Sequence, residues 1–170
     1  MKKIILILFV ALQFIGSLET NAQNKSSVKA EKLEKPYKPE ENAQKKIDAL
    51  LVKAKKENKN IILQAGGNWC IWCLRFNDFM NKTAEVNKII KKNFLYYHLN
   101  FSTENKNEVV FDKYAPEGKK LGYPFFIVLD KNGKVLKLQE SGSLESGSLE
   151  SGKGYDKTKV LSFLNTWKTK

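Results

Sequence analysis

The 170-residue chain holds 30 lysine and arginine residues against 18 aspartate and glutamate, giving a formal net charge of +12, with 42% hydrophobic residues. That length suits one domain with a single core. The charge does not make it a nucleic-acid binder. Arg75 is the only arginine, whereas base readout and phosphate forks favour arginine's planar geometry. The lysines are interleaved with Asn and Glu, as on a solvated surface drawn weakly to acidic partners or lipid headgroups.

Residues 1–22 have the parts of a secretory signal. Lys2 and Lys3 precede an unbroken apolar run, Ile4 to Leu12, and Thr20-Asn21-Ala22 offers a cleavage point after Ala22. The competing reading is an uncleaved anchor, but the run is short of the roughly 20 residues that span a bilayer. Gln13 and Gly16 also interrupt it, and no cysteine follows it to take a lipid. Export is therefore expected, to the periplasm if the source is Gram-negative. Residues 23–39 are polar, lysine-rich and punctuated by Pro36 and Pro39, which predicts a flexible lead-in to a domain over 40–170.

From Glu40 to Asn58, Ala43, Ile47, Leu50, Leu51 and Ala54 share one helical face, with Glu40 and Glu41 opening the helix and Lys55 and Lys56 closing it. A buried strand, Ile61 to Ala65, and a turn, Gly66-Gly67-Asn68, lead to Trp69-Cys70-Ile71-Trp72-Cys73. Helices are predicted through about Asn81, over Ala84 to Lys92 and over Val109 to Tyr114, with an aromatic-rich strand at Phe94 to Phe101. Phe125 to Leu129 reads as a second buried strand, joined through Asp130-Lys131-Asn132-Gly133 to Val135 to Leu138. The Asn-Gly pair is expected to supply the turn's positive backbone angles. Gly142 to Ser146 repeats at once as Gly147 to Ser151, which reads as a small duplication tolerated in a surface loop. Asp156 is the expected N-cap of a last helix with Val160, Leu161, Phe163, Leu164 and Trp167 as its apolar stripe. The order implies an α/β fold around a mixed sheet whose last two strands form a hairpin.

Cys70 and Cys73 are the only cysteines. Thiols at i and i+3 can close a disulfide with almost no backbone change, so the pair can cycle between dithiol and disulfide. A static bridge would add little, because stabilisation by loop closure grows with loop length. A metal site is poorly supplied, with His98 the one obvious further soft donor.

With a strand before the motif, a helix after it and Gly122-Tyr123-Pro124 opening the later strand, residues 40–170 resemble the thioredoxin superfamily, specifically its exported thioredoxin-like branch. The resemblance implies a thioredoxin-like fold, a mixed central sheet flanked by helices, with Pro124 as a cis-proline against the cysteine pair. It implies thiol–disulfide exchange with protein disulfides. Cys70 at a helix N-terminus would be the nucleophile, and Cys73, one turn inward, would resolve the mixed disulfide. Trp69, Ile71 and Trp72 would form one wall of a substrate groove and Tyr123 and Pro124 the other, where a partner backbone adds as a strand. No relay cofactor or stable metal is implied, since the cysteines carry the electrons. The expected partners are protein disulfides and a membrane or soluble thiol electron donor, and a monomer is expected.

Two departures stand out. The family's buried Asp, six residues before the first cysteine, is Gln64 here, and its lysine partner is His98. His98 is either a half-buried strand residue with no catalytic part or, titrating near neutrality, the proton relay for Cys73 with Gln64 beside it. Reductase is favoured slightly over oxidase, because Ile71-Trp72 places no histidine between the cysteines. The rival reading is a non-enzymatic module holding an extended chain in the Trp69/Trp72/Pro124 groove.

Overall fold

A computed structural model describes residues 32–147 and 154–169. The proposed signal, 1–22, and most of the second copy of the Gly-Ser-Leu-Glu-Ser repeat lie outside the described residues. The described elements are α1 (Ala43–Glu57), β1 (Asn60–Gly66), α2 (Ile71–Lys82), α3 (Ala84–Asn93), β2 (Phe94–Asn100), α4 (Glu108–Tyr114), β3 (Phe125–Leu129), β4 (Val135–Glu140) and α5 (Lys157–Trp167). Short 3₁₀ turns cover Gly118–Leu121 and Gly142–Leu144. The strands form one mixed sheet in the order β2-β1-β3-β4, with β1 parallel to β2 and antiparallel to β3, and β3 antiparallel to β4.

β1 is central and buried along its whole length, so its two faces feed two apolar layers. Ile61, Leu63 and Ala65 join Leu95, Tyr97, Leu99, Ile127 and Leu129 beneath α1 and α4. Ile62 joins Phe126 and Val128 on the opposite face, against Phe76 and Met80 of α2, Val86 and Ile90 of α3, and Val160, Phe163 and Leu164 of α5. Alternation in the strands thus puts Gln64 and Gly66 on the α2 side of the sheet. The parallel register pairs Gln64 with His98, and Tyr96 lies on the same face of β2.

Four local expectations change. α1 is capped by Asn42, whose side chain accepts from Lys45 N, so Glu40 and Glu41 stand outside the helix rather than opening it. In the β3–β4 turn only Gly133 has a positive φ (89°), and Asn132 does not. The turn is instead closed by Asp130, whose carboxylate accepts from the backbone N–H groups of Asn132 and Lys134. The first copy of the repeat is not merely a surface loop, since Leu144 is buried against the α2/α3/α5 layer. The compact unit also begins at Lys32, earlier than Glu40. Tyr37 is only 2% exposed and packs against both cysteines, so this part of the lead-in belongs to the domain. Asp156 caps α5 by accepting from Lys159 N, as expected.

Candidate active site

β1 ends at Gly66, and the chain turns through Gly67, Asn68 and Trp69, with Cys70 N donating to Gly67 O at 3.0 Å. This turn places Cys70 as the N-cap of α2. Its Sγ accepts from Cys73 N at 3.2 Å and is joined to Cys73 in a disulfide. Cys73 is fully buried and Cys70 is 6% exposed, so Cys70 is the sulfur nearer solvent. The free N–H groups of the first turn and the helix dipole favour negative charge at that position.

Gly66 is required beneath the pair. A Cβ there would stand 2.4 Å from Cys73 Sγ and 2.9 Å from Tyr37 Oη, so both atoms occupy the space a side chain would need. Tyr37 is held by Asn68, whose Oδ1 accepts from Tyr37 N (3.1 Å) and whose Nδ2 donates to Tyr37 O (2.8 Å).

The five expected groove residues divide. Trp69 is 58% exposed, with its Nε1 donating to Phe101 O at 2.7 Å and its ring edge-on to Tyr123, centroids 5.5 Å apart. Tyr123 stacks on Phe101 at 5.2 Å and also packs against the cysteine cluster. The Tyr123–Pro124 peptide bond is cis, and Pro124 is buried at the start of β3. Ile71 is 46% exposed. Trp72 touches the cysteine cluster but also packs edge-on to Tyr155, beneath the Arg75 guanidinium, which lies 5.2 Å from the ring centroid. Trp69 and Tyr123 therefore form one aromatic wall, while Trp72 is anchored on the α5 side.

Gln64, at 0% exposure, supports the pair through the backbone. Its Nε2 donates to Cys73 O at 3.0 Å and its Oε1 accepts from Tyr96 Oη at 2.5 Å. His98 lies edge-on to Tyr37 and Tyr96, with centroids at 5.1 and 5.3 Å, and its Nε2 has no hydrogen-bond partner among the described residues. Burial pushes its pKa down to about 4, so His98 is neutral at pH 7. Desolvation is the cause of this shift, which runs away from the near-neutral titration expected of a relay.

Tyr37, Asn68, Tyr96 and Phe101 are site residues that sequence reading passed over. Tyr37 is the one aromatic between residues 23 and 60, set between Pro36 and Pro39 in a polar segment, and an isolated aromatic in such a run was the available signal. Tyr96 follows from alternation once Gln64 and His98 share a face.

Comparison of the chain with curated proteins finds no match. Among solved structures it is similar to a disulphide isomerase from Xylella fastidiosa Temecula1, with a TM-score of 0.65 and 20% identity, covering 79% of this chain and 98% of that one. It is also similar to a DsbH oxidoreductase, with a TM-score of 0.49 and 22% identity, covering 69% of this chain and 77% of that one. At 20% identity the likeness to the Xylella fastidiosa protein is one of fold. Residues 42–131 match the family described as thioredoxin-like, a span that runs from the cap of α1 past the cysteine pair and the cis-proline to the β3–β4 turn. The chain belongs to the thioredoxin-like family.

Proposed function

We propose that the protein is an exported thiol–disulfide oxidoreductase that exchanges electrons with protein disulfides through Cys70 and Cys73, working as a reductase. The observation that carries this reading is the placement of the pair. Cys70 caps α2 at the rim, and Cys73, the third residue of the helix, lies fully buried and bonded to Cys70. A Cys70 thiolate, favoured by the helix N-terminus and the Cys73 N–H, attacks a client disulfide and releases one client thiol. Cys73 then attacks Cys70 Sγ, closing the internal disulfide and releasing the second client thiol. The reductase direction is supported by Ile71-Trp72, which puts no histidine between the cysteines to hold the thiolate. Export is supported by the charge and apolar run of residues 1–22, and an exported reductase needs a membrane or soluble thiol donor to return it to the dithiol.

The test is reduction of insulin by dithiothreitol, followed as precipitation of the released chain. The wild type is expected to accelerate it and Cys70→Ser to leave the uncatalysed rate. No acceleration by the wild type, together with no measurable dithiol–disulfide equilibrium with glutathione, would sink the enzyme reading. The exposed Trp69 and Ile71 would then favour the binding-module alternative.

A further inference from the structure

The Tyr37 hydroxyl is a buried donor with no bonded acceptor among the described residues. Tyr37 is 2% exposed, yet its Oη has no hydrogen-bond partner among the described residues. Its surroundings account for this. Gln64 interacts with the Tyr37 phenol in a way that favours its ionised form, so it acts as a donor toward that oxygen, and its own bonds run to Cys73 O and from Tyr96 Oη. His98 meets Tyr37 ring to ring at 5.1 Å, and Asn68 is occupied with the Tyr37 backbone. Cys73 Sγ shares with Tyr37 Oη the space above Gly66, the two atoms lying 2.4 and 2.9 Å from where a Cβ there would stand. In the disulfide that sulfur is neutral and bonded to Cys70, and so is a weak acceptor.

We infer that Tyr37 is the hydrogen-bond donor to Cys73 in the reduced protein, holding its thiolate in place to resolve the mixed disulfide. The inference rests on the thiol–disulfide exchange reading and adds to it the group that takes over where Gln64 stands in place of a carboxylate. In the balanced reaction, the Cys70–client S–S bond breaks as the Cys70–Cys73 bond forms. Two electrons pass to the client, and the protons of both protein thiols end on the two client sulfurs. Tyr37 accepts no proton. It lowers the cost of the negative charge on Cys73 while that charge exists. Burial holds its phenol well above the usual range, the facing Gln64 side chain opposing this only in part, so the donor is protonated at every working pH.

Two consequences separate this role from packing. The bond exists only in the reduced state, so removing it shifts the dithiol–disulfide equilibrium toward the disulfide. It also acts on Cys73 alone, so the first attack by Cys70 is unaffected. Tyr37→Phe keeps the ring against His98 and the cysteines while deleting the hydroxyl. Rapid-quench mass analysis of the reduced protein with glutathione disulfide gives attack and resolution separately. Equilibration with a glutathione buffer gives the potential.

For Tyr37→Phe, attack is expected at the wild-type rate and resolution about tenfold slower, with the equilibrium moved about tenfold toward the disulfide, equivalent to about 30 mV. Incorporating 3,5-difluorotyrosine at position 37, a stronger donor of nearly the same size, is expected to move the equilibrium the other way. This second variant keeps the question answerable if Tyr37→Phe does not fold. Wild-type resolution and potential in both variants would overturn the role of Tyr37 and leave exchange standing. A wild type that forms no mixed disulfide would overturn both readings.

Discussion

His98 stands on β2 with its ring edge-on to Tyr37 and Tyr96, and burial pushes its pKa from 6.5 down to about 4. This has a consequence for stability with a definite sign. Between those two values the unfolded chain binds a proton that the folded protein refuses, so stability rises with pH across the window. The contribution is fully present above pH 6.5, is lost as the pH falls toward 4, and amounts to a loss on the order of 3 kcal/mol. His98→Phe keeps a ring in the same slot and removes the titration. The difference in unfolding free energy between the two proteins, from urea titrations at pH values from about 4 to about 7.5, should grow in favour of the variant as the pH falls. Glu57, Glu104 and Glu140, whose pKa values are lowered by hydrogen bonds to Lys59, Ser102 and Ser143, titrate alike in both proteins and cancel. A difference that does not change with pH would mean that folding leaves the His98 titration where it is in the unfolded chain.

The segment before α1 is bound by side chains rather than by a sheet. Asn68 takes both the N–H and the C=O of Tyr37, and Asn105 Nδ2 donates to Pro39 O at 2.8 Å. Each asparagine stands in for a neighbouring strand, pinning extended chain across the site that Tyr37 covers. Asn68→Ala leaves the Tyr37 backbone groups unpaired, at a cost of about 1–3 kcal/mol. Amide hydrogen exchange should therefore quicken at Tyr37 while the amides of β1 keep their protection. An unchanged rate at Tyr37 would show that the segment is held by its ring alone. This pinning also marks the limit of what sequence reading reaches. Ile61 to Ala65 reads as a buried strand because its apolar run is unbroken, and Asp156 reads as a cap because α5's stripe begins just after it. Cys70, Cys73 and Pro124 follow from type and spacing in a recognisable frame. Tyr37 and Asn68 lie 31 residues apart, and their bonds join backbone to side chain, so neither hydropathy period nor propensity couples them. The register that pairs Gln64 with His98 is legible by counting. The desolvation that silences His98 is not, because it comes from rings that only the folded chain brings together.

The sheet divides the molecule into two apolar layers, and the cysteine pair sits at the C-terminal end of β1, on the α2 side, where Gln64, Gly66 and Tyr37 back it with buried groups. The chemistry inside this pocket is short-range, whereas the +12 charge of the chain acts at a distance. The two steps of exchange should therefore answer differently to salt. Attack by Cys70 is bimolecular, and its encounter rate depends on the field that a client crosses. That field is screened within about 10 Å at 0.1 M ionic strength, and more tightly above it. Resolution by Cys73 is intramolecular between buried sulfurs that bulk ions do not reach. With an acidic peptide disulfide as client, raising sodium chloride from about 0.02 to about 0.5 M should slow attack several-fold. A lysine-rich peptide should show the opposite trend, and resolution should be unchanged for both. Equal salt dependence for the two peptides would remove steering from the account and leave the lysines a purely solvating role. A salt-dependent resolution step would mean instead that the pocket around Cys73 opens to solvent during exchange.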